Sequence, residues 1–148
     1  MNARSLYLCK VQEMSRPIKK RKVNAPPQMV GFKPFGIAFC EAEQVAMQYE
    51  EYETIKLVIY DDLSQEIAAD KMEISRPTLT RIYNSALKKI GQAFVEGKSI
   101  IIEGGDFEFD KDWYKCKRCF KLITGDKNCI KCGDCPSSNE DELINLNK

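Results

Sequence analysis

From Ser64 to Ser85 the apolar positions fall at Ile67, Ala68, Met72, Ile74, Leu79 and Ile82, a spacing that suits two short helices crossing one another. Ala69 is small where such helices approach. Ser75 stands where the second helix begins, with a hydroxyl able to accept a backbone N–H as an N-cap. Pro77 follows in the first turn, where a missing N–H costs nothing. The pattern predicts a helix-turn-helix. Leu79, Ile82, Tyr83, Ala86 and Ile90 form the inward stripe of the second helix, which continues through Leu87 and Phe94 to Glu96 and stops at Gly97. Gly91 interrupts that stretch with a weak helix former. Glu73 occupies the turn position where glycine is usual, so a reshaped or strained turn is expected.

On either side the pattern is shorter. Tyr52, Ile55, Val58 and Ile59 recur at helical spacing between Glu50 and Tyr60 and predict a packing helix. Residues 41–47 read as another short turn or helix. Ser99 to Glu103 contains three consecutive isoleucines and predicts a strand, ended by Gly104-Gly105. A length of 148 residues suits one modest domain with an appendage. The expected fold is mainly α. A helix-turn-helix domain spans 41–105, after an N-terminal extension and basic arm at 1–40. A cysteine-rich metal-binding module at 106–136 follows it, then a polar tail at 137–148.

Charge changes the picture by segment. The whole chain is nearly neutral at +1, but residues 1–40 carry eight Lys or Arg against Glu13 alone. Residues 41–97 carry six against eleven acidic residues. The excess gathers in Arg16, Lys19, Lys20, Arg21 and Lys22, and prolines at 17, 26 and 27 disfavour a helix there. Such an arm suits phosphates or a minor groove. On the second motif helix, Arg76, Thr78, Thr80, Arg81 and Asn84 are candidate base readers beside the cap Ser75, and Lys88 and Lys89 are candidate phosphate contacts. An ordinary amphipathic helix pair with a solvated polar face is the plain alternative.

The cysteines supply the second chemistry. Cys116-Lys-Arg-Cys119 and Cys129-Ile-Lys-Cys132 are two CxxC pairs nine residues apart, and Cys135 follows. Two such turns can offer four thiolates to one tetrahedral ion. The chain contains no His, so thiolate must dominate any site, with zinc the leading ion and iron the alternative. Cys116, Cys119, Cys129 and Cys132 are the expected ligands, with Cys135 a substitute for Cys129. Trp113, Tyr114 and Phe120 would cover the site, and Cys40 reads as a small buried apolar residue. No signal peptide or membrane-length apolar run is seen, which favours a reducing cytoplasm over structural disulfides.

Met14-Ser-Arg-Pro-Ile-Lys-Lys-Arg-Lys, Gly31-Phe-Lys-Pro-Phe-Gly-Ile and the order of segments from Glu50 to Gly105 resemble the bacterial and archaeal family called domain of unknown function 134. The resemblance covers about residues 14–105, and its most specific pieces are Phe32-Lys-Pro, Ser75-Arg-Pro-Thr and Ile102-Glu-Gly-Gly. It implies a DNA-binding helix-turn-helix similar to sigma-factor region 4, and some members carry a cysteine-rich tail, which Cys116 to Cys132 would match. Residues 1–13 precede the usual start, and Glu73 replaces the usual turn glycine.

Together these features predict sequence-selective binding of double-stranded DNA and transcriptional regulation. Two other readings use the same residues: a module that binds RNA polymerase or another protein through a region-4-like surface, and an iron or thiol redox module. With no His and no acid–base or phosphate-cradling constellation, an enzyme is not expected. No membrane association is expected.

Overall fold

A computed structural model describes residues 19–36, 43–117, 121–124 and 143–147. Its longest helix, α3 (Arg76–Glu96), begins where the sequence places a cap. Ser75 is extended, at φ −73° and ψ 148°, and its Oγ accepts the Thr78 N–H at 3.4 Å. Gly97 ends the helix in the left-handed region at φ +66°. Before it lies α2 (Gln65–Lys71), capped by Ser64 Oγ on the Ile67 N–H. The connection turns at Glu73, whose φ of +53° is the strained geometry expected of a non-glycine residue there.

Leu57, Ala68, Ala69, Met72 and Leu79 form one buried cluster between these helices, with Val58, Leu63 and Ile74 packed on it. Burying a side chain such as Leu79 contributes about 1.5–3 kcal/mol. Ile67 lies outside this core and is half exposed.

The helix before the motif behaves differently. α1 (Tyr49–Ile55) runs directly into a π-helical turn at Lys56–Tyr60, closed by the Asp61 N–H on the Lys56 carbonyl. Apolar spacing put Tyr52, Ile55, Val58 and Ile59 on its inner face. The buried residues are instead Glu50, Glu51, Glu53, Thr54 and Leu57, and Ile59 is exposed. Buried carboxylates require partners, and these find them in Arg21, Lys56 and Lys89.

Three small sheets complete the described residues. β3 (Gln44–Met47) lies parallel to β4 (Ser99–Ile102), and β2 (Gly31–Phe32) pairs antiparallel on the other side of β4. All three helices form the crossover from β3 to β4 that parallel pairing demands. A Cβ at Gly31 would collide with the Ile100 carbonyl, so only glycine allows this β2–β4 approach. β1 (Arg21–Val23) pairs parallel with β5 (Phe107–Phe109). Phe107 and Phe109 stack with Tyr49 at centroid distances of 4.5 and 5.8 Å, fixing β5 against α1. β6 (Trp113–Cys116) is the centre of an antiparallel sheet with β7 (Leu122–Thr124) and β8 (Leu143–Asn145).

The expected mainly α fold is therefore corrected. Among the described residues eight strands in three sheets accompany three α-helices, an α and β architecture. Gln44–Met47, read as turn or helix, is a strand held by β4. These strands are two to four residues long, too short for alternation to register, whereas α3 dominates the periodicity. The expected zinc-ribbon-like or zinc-knuckle module is corrected as well. Among the described residues no group of Cys, His, Asp or Glu could hold a metal, and the tail appears there as the β7-β6-β8 sheet. Cys116 is buried at the end of β6. Cys119, Cys129, Cys132 and Cys135 lie outside the described residues, as do Cys40 and Phe120. Among the described residues no helix is long and apolar enough to cross a membrane.

Candidate nucleic-acid interface

Each residue of α3 advances about 100° around the axis, so position alone separates its faces. Leu79, Ala86 and Ala93 are buried at seven-residue intervals and mark the inward line. Arg81, Asn84 and Lys88 lie on the opposite line, and all three are exposed. Among the described residues none of them is held by an ion pair or hydrogen bond. Their spacing of i, i+3 and i+7 puts a guanidinium, an amide and an ammonium along about 10 Å of one helix face.

The first turn is more constrained. Arg76 Nη1 lies 3.2 Å from Glu66 Oε1, a bridge between α3 and α2 with both side chains largely in water. Such an exposed pair exchanges readily for a better partner. Ser75 and Thr78 share a 2.7 Å hydroxyl–hydroxyl bond at the cap.

Two expected contacts on α3 are spoken for. Thr80 Oγ1 lies 2.8 Å from Gln65 Oε1 and 3.0 Å from the Arg76 carbonyl, so its proton is directed within the helix pair and away from bases. Lys89 Nζ lies 2.6 Å from Glu51 Oε2, and Ser85 Oγ donates to Glu51 Oε1 at 2.7 Å. Lys89 thus ties α3 to α1 and is withdrawn from phosphate.

The basic segment is also reassigned in part. Arg16 lies outside the described residues. Arg21 belongs to β1 and points inward, its Nη1 3.0 Å from Glu50 Oε1 and 3.8 Å from Asp106 Oδ2. It is an internal cation and not a phosphate contact. Lys22 Nζ lies 2.6 Å from Glu73 Oε1, and its backbone N–H donates to the Met72 carbonyl. The hydrogen bond to Glu73 raises the Lys22 pKa, and the same bond lowers that of Glu73. Lys19 donates to the Glu73 carbonyl at 3.3 Å and keeps a loose 3.8 Å pair with its carboxylate. Residues 19–22 therefore run along the turn that precedes α3, with Lys19 and Lys20 exposed beside it. What the sequence suggested as a loose arm is locked to the helix pair at this end.

Sequence reasoning missed the acidic α1 face altogether. Glu53, almost fully buried, receives the Asn24 N–H at 3.3 Å and Lys56 Nζ at 3.4 Å. Burial raises its pKa, and the lysine and the N–H oppose that rise only in part. The available signal was the run of carboxylates at 50, 51 and 53 in a segment otherwise patterned for burial.

A family model described as "Protein of unknown function DUF134" matches residues 11–110. The chain belongs to the DUF134 family. Relatives carry the name UPF0251 protein. The one from Halothermothrix orenii is 43% identical over 106 residues, covering 72% of this chain and 78% of its own. That from Clostridium acetobutylicum is 42% identical over 130 residues, with 85% and 90% covered. That from Desulforudis audaxviator is 38% identical over 131 residues, with 88% and 86% covered. No solved structure matches.

In this DUF134 chain the motif residues have visible work. Gly31, ahead of Phe32-Lys-Pro, permits the β2–β4 contact, and Ser75-Arg-Pro-Thr caps α3. Gly104-Gly105 follow β4, and a Cβ at Gly105 would collide with Glu50 Oε2. Glu50 also accepts the Asp106 N–H at 3.4 Å, so one buried carboxylate joins the Gly-Gly turn, Arg21 and α1.

Proposed function

We propose that this protein binds double-stranded DNA with sequence selectivity through the exposed line of α3 and regulates transcription. The observation that carries the reading is the unpaired Arg81–Asn84–Lys88 line, directly opposite the buried line of a capped helix. Arginine pairs two donors with the N7 and O6 of guanine, and asparagine pairs donor and acceptor with adenine. Lys88, Lys19 and Lys20 supply phosphate contacts around them, and Arg76 joins by leaving Glu66. Ser75 and Thr78 act through the geometry of the helix start.

Selection of bound duplexes from a random pool, followed by footprinting, tests this directly. Arg81→Ala should cost about 1–3 kcal/mol on the selected site and little on unrelated duplexes. Equal loss on every sequence moves Arg81 to phosphate. A pool that yields no enriched duplex rejects the function.

For the tail we propose that one zinc ion binds the thiolates of Cys116, Cys119, Cys129 and Cys132, three of which lie outside the described residues, on the chemistry of two CxxC pairs in a chain with no His. A filled thiolate shell stabilises structure and leaves no open position for catalysis. Elemental analysis should find one zinc per chain, and its absence from protein prepared under reducing conditions rejects the site.

A further inference from the structure

The π-helical turn at Lys56–Tyr60 changes which side chains share a face. An α-helix advances about 100° per residue, and the wider i→i+5 turn advances about 80°. Continued as an α-helix, Tyr60 would stand about 80° around the axis from Tyr52. The π turn takes up that difference and returns Tyr60 to the face that carries Tyr52 and Lys56. All three line a cleft of about 470 Å³, together with Pro26, Gln28 and Met29 from the segment between β1 and β2.

That segment is held at both ends, so the cleft is preformed. The Asn24 N–H donates to Glu53 Oε1 at 3.3 Å, and the Ile102 N–H donates to the Val30 carbonyl at 2.8 Å. Pro26 and Pro27, both buried, stiffen the stretch between them.

The chemistry of the lining selects a class of ligand. Two phenol rings, a proline and a thioether offer flat, polarisable surface to another ring. Among the described residues that line the cleft, Lys56 alone is charged. Its Nζ lies 3.4 Å from Glu53 Oε1, longer than the usual charge-assisted bond, and that oxygen also receives the Asn24 N–H. Burial raises the Glu53 pKa and loosens this hold further. The lysine can therefore turn to an anion in the cleft, whereas a cation there would be repelled. A preformed concavity of this volume, mostly apolar with one placed charge, has the make-up of a small-molecule site. From these relations we infer that the cleft binds a small planar aromatic carboxylate, its ring against Tyr52 and Tyr60 and its carboxylate on Lys56. The site shares no residue with the α3 face proposed for DNA, so the two readings stand or fall separately.

The test needs no nucleic acid. Naphthoate is titrated into the full chain and followed by two-dimensional amide NMR, with naphthamide as its neutral counterpart and cyclohexanecarboxylate as its non-aromatic one. Naphthoate should bind with a dissociation constant of about 1 mM or lower, and its shifts should gather at residues 25–29 and 52–60. Each counterpart should bind about tenfold more weakly. Tyr60→Ala, at an exposed position, should weaken naphthoate several-fold and leave distant signals unchanged. Lys56→Gln should abolish the preference for naphthoate over naphthamide, and the comparison of the two ligands on wild type decides the same point should that variant unfold. No saturable shift at residues 52–60 by about 10 mM naphthoate overturns the site. Equal binding of either counterpart overturns the ligand class.

Discussion

Glu51 ties α1 to α3 through Lys89 and Ser85, and its removal has a calculable cost. Its side chain is 5% exposed, with Oε2 2.6 Å from Lys89 Nζ and 2.8 Å from the Gln48 backbone nitrogen, and Oε1 2.7 Å from Ser85 Oγ. Glu51→Ala deletes one charge-assisted bond across two helices, one hydroxyl bond and one bond that caps α1. Breaking a fully buried ion pair from one side costs about 3–5 kcal/mol. Lys89 keeps 28% of its side chain exposed and can turn to water, which reduces that figure. Loss of the cap adds about 1 kcal/mol. The net expectation is about 2–4 kcal/mol, a large share of the roughly 5–15 kcal/mol that holds a domain folded. With a urea slope near 2 kcal/mol per molar, the midpoint should fall by about 1–2 M. Urea titrations of wild type, Glu51→Ala, Lys89→Ala and the double variant form a cycle, and a coupling above about 1 kcal/mol is expected. If Lys89→Ala leaves the midpoint unchanged while it weakens duplex binding at every sequence, Lys89 is a phosphate contact and the structural tie is refuted.

Glu53 supplies a pH-dependent prediction. Its folded pKa is raised chiefly by burial, so the folded state binds a proton more tightly than the unfolded one. Its contribution favours folding below the ordinary carboxylate range and is lost as pH rises through the raised value. Glu53→Gln should therefore stabilise the protein at pH 7–8 relative to wild type, and a stability difference that does not shrink toward acid pH would refute this. Gly105→Ala should lower the melting temperature through its φ of +108° and its collision with Glu50, whereas Gly36→Ala meets no neighbour and should cost less; the two thermal scans decide. Glu73→Gly relieves φ +53° and should melt no lower than Glu73→Val, which keeps the strain and loses the bond to Lys22. In salt titrations of duplex binding, Lys20→Ala and Lys88→Ala should each flatten the slope by about 0.9, while Lys22→Ala, whose charge is held by Glu73, should flatten it less.

How much of this was legible in the sequence follows from the range of each signal. Ser64, Ser75, Pro77 and Gly97 act within a few residues of themselves, so the ends of α2 and α3 could be read from type and spacing. The turn at Glu73 was legible for the same reason, since positive φ is a local demand. The strands were harder to read. Only the isoleucines of β4 announce themselves, because β1 and β5 meet across more than eighty residues and neither is long enough to show alternation. The inner face of α1 was read only in part: Val58 packs on the core, but the fully buried positions there are Glu50, Glu51, Glu53, Thr54 and Leu57. Periodicity counts apolar side chains, and it cannot see that Arg21 and Lys89, each far away in sequence, neutralise Glu50 and Glu51 in the interior.

The same limit divides the candidate site. Arg21, Lys89 and Arg81 are all permanent cations at neutral pH, yet the first two are held by buried carboxylates and the third faces solvent. Whether a cation is available to a phosphate or a base depends on the pairing of distant segments. Net charge is therefore a poor guide to this surface: a chain of formal charge +1 consumes cations inside and at the α2–α3 turn while it keeps Lys20, Arg81 and Lys88 outside. Among the described residues, the proposed DNA interface rests on few phosphate contacts. Under the proposed reading its affinity should then depend on base contacts more than on bulk attraction to the duplex.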